Sequence, residues 1–508
     1  MTAEAMSYST RKARWLALVA ALLGWMFDGM EMGLFPLVAK SALAELMGAS
    51  KGDANVNRWF GVIIAMFLVG AATGGVLFGW LGDRIGRVRA MTVSVLVYSL
   101  CSGLSAASQE VWHLAVLRFV GALGMGGEWA LGVALVMELW PNSSRAWLAG
   151  WIGAFGNLGY TLIGSIAYTL LQFGGEIPRF LVQIGCPESW ALSLTANGNW
   201  RLLMLIGAVP ALSTLLLRLF VPESEKWQAE KKTGRVSNWS TRDLIGVLIG
   251  AIAATVMIYV WATDTTQWGD FGFDHTMTLR IFVSIACLIV VTAGYTYPVR
   301  CYLRRVGLPA QERRRTLKTM LLAAGLSGVP LLATWSGVMW MYKWVGSASF
   351  PAPPEAIPLM QISSSLGAAI GCVLGAVLGG RYGRRIVYAI LCILSFLVMV
   401  GFYKLNTQYG TILIFSAGLM GMTTASFYGW LPLYLPELFR TSVRATGQGF
   451  AFNFGRIIAA VGNLQMANLL LLFGNDYGNA CAVVGGVYLV GLILICFAPE
   501  TKGKPLPD

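Results

Sequence analysis

The chain is short of charge, of histidine and of catalytic signatures. Only 12% of its 508 residues are Asp, Glu, Lys or Arg, about half the ~25% of a soluble domain. That shortage excludes a globular fold solvated on every side. There are two histidines, His113 and His275, so imidazole-based metal or acid–base chemistry has little to work with. The eight cysteines form no CxxC or Cys/His spacing, and most sit inside apolar runs. They read as small packing residues, with no metal site implied. HExxH, a Walker lysine loop and a GxSxG elbow are all missing, which leaves an integral-membrane enzyme or an ATP-driven pump without support. No cofactor is expected.

What is present is apolar. Hydrophobic residues make up 56% of the chain and the mean hydropathy is +0.65. About 20 apolar residues cross a bilayer as a helix. By that measure fourteen spans are expected: 15–37, 59–80, 90–108, 112–138, 146–172, 201–221, 244–262, 279–298, 316–341, 356–379, 386–403, 410–434, 445–473 and 477–498. The first is too long for a signal-peptide core and carries two acids, so it is expected to be retained. The fold class is therefore an all-α membrane protein. The net charge of +13 does not argue for nucleic acid, because phosphate binding needs a solvated basic surface. With 1–14 placed in the cytoplasm, 27 Lys and Arg fall on the inner side and 8 on the outer. That asymmetry predicts cytoplasmic termini.

A repeat runs through the chain. Shifted by 297, Gly70, Gly74, Leu81, Gly82, Arg84, Gly86 and Arg87 fall on Gly367, Gly371, Leu378, Gly379, Arg381, Gly383 and Arg384. Shifted by 299, Glu138, Leu139, Arg145, Ala146, Gly150 and Gly156 fall on Glu437, Leu438, Arg444, Ala445, Gly449 and Gly455. A duplicated six-helix unit follows, with boundaries expected at 1–222 and 316–508. The segment 223–315 holds a cytoplasmic linker and two extra helices, expected to be peripheral and lipid-facing. Such duplicated bundles place a solute site at the repeat interface near the midplane. Glycines at 367, 371, 375 and 379 recur every fourth residue, a spacing that lets helix backbones approach closely.

The run Gly79-Trp80-Leu81-Gly82-Asp83-Arg84-Ile85-Gly86-Arg87 resembles the signature loop of the major facilitator superfamily. The resemblance implies two six-helix bundles, here with two inserted helices, working by alternating access. The second copy has Gly380 in place of Asp83. Asp83 is expected to pair with Arg87 or cap a helix. Glu138 with Arg145, and Glu437 with Arg444, are the expected partners at the cytoplasmic ends. With Arg84, Arg381 and Arg384 they make up the expected cytoplasmic gate.

Charges inside spans mark the candidate site, since a charge at the bilayer centre costs about 2.5–3.5 kcal/mol on insertion scales. Asp28 and Glu31 lie three residues apart, hence close to one helical face. Two carboxylates in a low dielectric repel when both are ionised, which favours uptake of a proton. They either couple protons or line a wet vestibule. Arg118, inside the fourth span, needs a partner: Asp28, Glu31 or a substrate carboxylate. A proton on Asp28 would then weaken its pairing with Arg118. Glu128 is either functional or part of a structural ion pair. Asn453, Arg456 and Asn463 fall within about 80° of each other on a helix, and Asn157 is the repeat counterpart of Arg456. Arg456 either holds an anionic group or braces a neighbouring helix. Arg118, Glu128, Asn157, Asn453 and Arg456 are the candidate substrate contacts. Trp335, Trp340, Gln361 and Tyr428 either line the cavity or pack.

The runs Leu23 to Glu31, Gly124-Met125-Gly126-Gly127-Glu128-Trp129, Trp200-Arg201 with Pro210, and Val221 to Trp227 together resemble the sialate:proton symporter branch. Members commonly carry Asp-x-x-Asp in the first helix, where this chain has Asp28 and Glu31. Tyr434-Leu435-Pro436-Glu437-Leu438-Phe439 and Pro499-Glu500-Thr501-Lys502-Gly503 also resemble sugar porters. The resemblance implies proton-driven import of a monocarboxylate or acidic sugar by a monomer in the inner membrane. Its partners would be the solute, the proton and the bilayer. An uncoupled facilitator, an exporter and a non-transporting sensor are the alternatives.

Overall fold

A computed structural model of the chain describes residues 3–50, 53–140, 144–219, 221, 223, 225–233, 239–262, 275–347, 349–474 and 476–507. Pro222, at the first expected boundary, and Ser224, in the motif that follows it, lie outside the described residues. All regular structure described is helical. In hydrocarbon each backbone N–H and C=O must find a partner within the protein, and a helix does this segment by segment.

The first half contains α1 (Ala3–Met47), α2 (Ala54–Ile85), α3 (Arg87–Ser105), α4 (Val111–Leu139), α5 (Arg145–Gln172), a short α6 (Ile177–Gln183) and α7 (Glu188–Leu219). A surface helix, α8 (Glu225–Lys232), leads to the inserted pair α9 (Leu244–Ala262) and α10 (His275–Arg305). The second half is α11 (Ala310–Ser336), α12 (Met341–Trp344), α13 (Ala356–Tyr382), α14 (Arg384–Leu405), α15 (Thr411–Ala425), α16 (Phe427–Tyr434), α17 (Arg444–Leu472), α18 (Tyr477–Gly485) and α19 (Val487–Cys496).

Every expected span falls on a helix or a broken pair of helices. The twelfth is split between α15 and α16, and the last between α18 and α19. Among the described residues, eleven helical stretches are long and apolar enough to cross a membrane. α5 and α17 are not among them. Both carry polar groups inward, Asn157 and Thr161 on one, Gln448, Asn453, Arg456 and Asn463 on the other. α7 breaks at Asn197, Gly198 and Asn199, whose φ angles are 48°, 81° and 62°.

Packing follows the repeat. α1 lies on α5 as α11 lies on α17, and α2 on α4 as α13 on α15. The halves meet along α2 with α17 and α5 with α13. Glycines make these approaches possible: a Cβ on Gly70 or Gly74 would run into the backbone of α4, and one on Gly367 or Gly371 into that of α15. The inserted helices pack on each other and on α2 and α17. Asp243, just before α9, and Arg305, at the end of α10, form a bidentate pair at 2.5 and 2.6 Å. The hydroxyls of Tyr295 and Thr73 meet at 2.7 Å. Outward these helices show Ile245, Leu248, Ile252, Phe282, Ile285 and Ile289, side chains suited to lipid.

Candidate functional site

A cavity of about 150 Å³ lies where the halves meet. Its walls come from α1, α4 and α5 on one side and from α11, α12, α13, α15, α16 and α17 on the other. The surface is aromatic and apolar apart from a few polar groups. Trp129 and Phe452 stack across the halves, rings 3.7 Å apart and 9° from parallel. Tyr428 donates to Thr334 Oγ1 at 2.8 Å, and the hydroxyls of Thr161 and Ser365 meet across the halves at 2.8 Å.

Arg456 is the cation of this chamber. It is 4% exposed, and its guanidinium lies 5.4 Å over the Phe452 ring. Its Nε and Nη1 have no hydrogen-bond partner among the described residues. A buried guanidinium with open donors costs free energy unless an acceptor arrives. Among the acids, Asp28 is the one whose charge acts on it. Asp28 lines the same cavity from α1, and Asn157 lines it from α5.

The other predicted contacts are elsewhere. Arg118 pairs with Glu31, both almost wholly buried, and sits over the rings of Phe35 and Phe67 at 5.1 and 5.4 Å. Neither lines the cavity. Of the partners expected for Arg118, Glu31 is the one it pairs with. That acid lies one turn further along α1 than Asp28, which lines the cavity between the halves. Glu128 is fully buried in α4 away from the lining. Asn453 donates to the carbonyls of Gly126 and Gly449 at 3.1 and 3.0 Å, so it ties α17 to α4. Asn463 accepts from Trp340 Nε1 at 3.0 Å, and Gln361 donates to the Tyr160 carbonyl at 3.1 Å. Of the four side chains for which lining or packing was open, Trp335 and Tyr428 line the cavity.

Sequence reading missed Tyr160, Tyr342, Phe452 and the pair Ser364 and Ser365 in the wall. A signal was available for Phe452. It lies one turn before Arg456, and charged intramembrane residues share their face with the i−4 neighbour.

Both signature loops gather at one end of the bundle. Arg87 pairs with Asp83 at 2.8 Å and approaches Glu138 at 3.5 Å. Glu138 also takes Arg444 of the second half at 2.9 Å. Asp83 Oδ2 accepts from the backbone N–H and hydroxyl of Thr446 at 2.9 and 2.5 Å, and Arg87 donates to the Thr441 carbonyl at 3.1 Å. In the second copy Arg384 forms a two-point pair with Glu437 at 2.6 and 3.0 Å, and Thr501 donates to the same carboxylate at 2.5 Å. The expected partners are corrected here too: Glu138 holds Arg87 and Arg444, and Glu437 holds Arg384. Arg145 makes no ion pair among the described residues, though the Glu437 charge reaches it. Arg84 donates to Thr241 at 2.5 Å, and Arg381 stacks on Tyr382 at 5.5 Å. Both lie outside the network.

Each loop turns on a glycine, Gly86 at φ 112° and Gly383 at φ 109°, values that only glycine adopts without strain. A glutamate caps the helix that follows. Glu223 accepts from the N–H groups of Arg87 and Val88 at 2.8 and 3.1 Å, and Glu500 from those of Arg384 and Arg385 at 3.1 and 3.2 Å. Carboxylates at helix N-termini satisfy orphan donors and favour the dipole.

The family model for sugar (and other) transporters matches residues 16–293. A putative metabolite transport protein of Haemophilus influenzae is 25% identical over 97% of this chain and 98% of its own. The cis,cis-muconate transport protein of Acinetobacter baylyi is 24% identical over 96% and 95%. The sialic acid transporter NanX of Escherichia coli is 27% identical over 42% and 45%. Among solved structures, the proton:xylose symporter XylE of the major facilitator superfamily superposes with a TM-score of 0.67. It is 17% identical, covering 98% of both chains.

Proposed function

We infer the activity from one premise: the chain belongs to the sugar (and other) transporter family. It is a multi-pass membrane transporter of small metabolites with the major facilitator fold. We propose that its solute is a small organic acid or acidic sugar, moved together with a proton by alternating access. The observation that carries this reading is Arg456, a buried cation with open donors aimed at a cavity that Asp28 shares. A solute carboxylate fits those donors by charge-assisted hydrogen bonds. Relatives that carry cis,cis-muconate and sialic acid, both carboxylates, support the class.

Asp28 supplies the coupling. Ionised, it offsets Arg456 and repels an incoming anion across the cavity. Protonated, it releases Arg456 to the solute. Proton and anion therefore load together, and the net charge in the chamber changes little. Glu31 and Arg118, a neutralised pair outside the cavity, link the proton step to the packing of α1 on α4. Asn157 orients the solute from the opposite wall. The gate is the network of Asp83, Arg87, Glu138 and Arg444, braced by Arg384 and Glu437. Division at 222 and 315, cytoplasmic termini, a monomeric state and the inner membrane belong to the same proposal.

The test uses cis,cis-muconate in proteoliposomes. Asp28→Asn is expected to keep exchange of labelled for unlabelled solute and to lose uphill accumulation under a proton gradient. Full accumulation by that variant removes Asp28 from coupling. Arg456→Gln is expected to raise the KM about ten- to hundredfold, the loss of a hydrogen-bonded charge worth about 1.5–3 kcal/mol. An unchanged KM removes Arg456 from the site.

A further inference from the structure

A larger opening lies on the outer flank of the bundle. It measures about 650 Å³, more than four times the central cavity. One wall is the inserted helix α9, whose lining residues recur at steps of three and four from Leu244 to Tyr259. The other wall is Thr73 and Leu77 of α2 with Phe119 and Leu123 of α4. At about 1.5 Å per residue the stripe on α9 is about 22 Å long. That exceeds one leaflet's share of a hydrocarbon core about 30 Å thick. Leu248, Ile252 and Val256 line the slot yet stay 59%, 55% and 45% exposed. Along this stripe α9 stands off from the bundle.

The walls suit hydrocarbon. Thr255 donates to the Ala251 carbonyl at 2.9 Å. Thr73 donates to the Val69 carbonyl at 2.8 Å and meets the Tyr295 hydroxyl at 2.7 Å. Apart from these threonines and Tyr259 the lining is apolar. Water finds few partners in such a slot, and a void there forfeits dispersion contacts on both walls. A flexible alkyl chain laid along α9 restores them.

The mouth at the signature-loop end is basic. Leu77 and Arg84 lie seven residues apart on α2, hence on one helical face. Arg84 donates to Thr241 at 2.5 Å, which ties α2 to the segment entering α9, and its guanidinium lies 5.0 Å over the Trp80 ring. Arg242 is the next residue, two before Leu244. Neither arginine forms an ion pair among the described residues. The adjacent acid, Asp243, is taken by Arg305. Basic pockets between membrane helices take anionic lipid headgroups, and a guanidinium matches a phosphate with two parallel hydrogen bonds.

We propose that the slot between α9 and the bundle holds an anionic glycerophospholipid, with one acyl chain along α9 and the phosphate at Arg84 and Arg242. Lipid then replaces side-chain packing between the inserted helix and α2 and α4. Such a site holds whatever solute the central cavity takes.

The test uses the full-length protein in detergent, titrated with dioleoyl phosphatidylglycerol or dioleoyl phosphatidylcholine, with bound lipid counted by native mass spectrometry. A phosphatidylglycerol is expected to stay bound under activation that strips phosphatidylcholine. Ala251→Trp, which fills the slot, is expected to weaken phosphatidylglycerol binding about tenfold, a change of about 1.4 kcal/mol. Ile285→Trp, on the outward face of α10, is expected to leave it unchanged. The double variant Arg84→Gln, Arg242→Gln is expected to hold the two lipids equally. Unchanged binding in Ala251→Trp, an equal loss in Ile285→Trp, or a headgroup preference that survives loss of both arginines overturns the site. A second measurement needs no variant. Phosphatidylglycerol carrying a diazirine on its acyl chain is expected to label the slot side of α9 and Leu123 of α4 in the wild-type protein. Labelling of Ile285 and Ile289 as heavy as that of the slot overturns the proposal.

Discussion

At the end of α2, Asp83 reaches into the opposite half and binds Thr446. At the end of α13 the same position is Gly380, with no side chain to send across, and the counterpart of Thr446 is the exposed Trp147. The cross-half ion pairs differ in the same way. Glu138 meets Arg444 at 2.9 Å, while their repeat equivalents Glu437 and Arg145 form no ion pair. Glu437 turns inward to Arg384 and Thr501 of its own half. One loop joins the halves and the other stiffens a single half. Duplication supplied two copies of the motif, and divergence at two positions left one latch and one brace.

Breaking the latch is expected to give the largest effect. Glu138→Gln leaves Arg444, which is 0% exposed, without its carboxylate. Removing one partner of a buried pair costs about 3–5 kcal/mol, and here only the state with the latch closed bears it. Spin labels placed across the halves at this end are expected to show a longer distance dominating. Glu437→Gln is the control, because its ion pair lies within one half. It is expected to lower thermal stability and leave that distance distribution alone. If both variants open the bundle equally, the distinction between latch and brace fails.

Thr446→Val is a finer cut. It removes the hydroxyl bond to Asp83 at 2.5 Å and keeps the backbone one at 2.9 Å. A bond to a charged group is worth about 1.5–3 kcal/mol, so the same labels are expected to move in the same direction by less. A shift as large as that of Glu138→Gln would place the latch in Asp83 and not in the ion pair.

Much of this was legible in the residues. The glycine rows pointed to close backbone approaches, and the matched Gly70 and Gly74 meet the backbone of α4 as Gly367 and Gly371 meet that of α15. Asp28 and Arg456 stood out as charges inside spans, and both line the cavity. Partner choice was not legible. Asp28 and Glu31 share one helical face, and only the crossing of α1 with α4 decides that Glu31 takes Arg118. Glu138 and Arg145 are close in sequence, yet the bundle pairs Glu138 with an arginine 306 positions away. Spacing along a chain says which groups need a partner. The tertiary crossing says which partner they get.

The smallest effect concerns what the two loops still share. Glu500 lies partly in solvent beyond the last helix. Burial raises its proton affinity, but the backbone N–H groups of Arg384, Lys502, Arg385 and Thr501 lower it more, and the net value falls below the ordinary 4.5. A carboxyl with a depressed folded-state pKa contributes stability above its unfolded pKa and loses it as pH falls through the folded one. Melting temperature is therefore expected to drop between about pH 5 and 3, with less of that drop in Glu500→Gln. Partial exposure keeps the contribution under about 1 kcal/mol. The variant should leave the distance across the halves unchanged, because the cap acts on α14 within its own half. Movement of the halves in Glu500→Gln would mean that the second loop also reports across the interface. The asymmetry between the copies would then be one of degree.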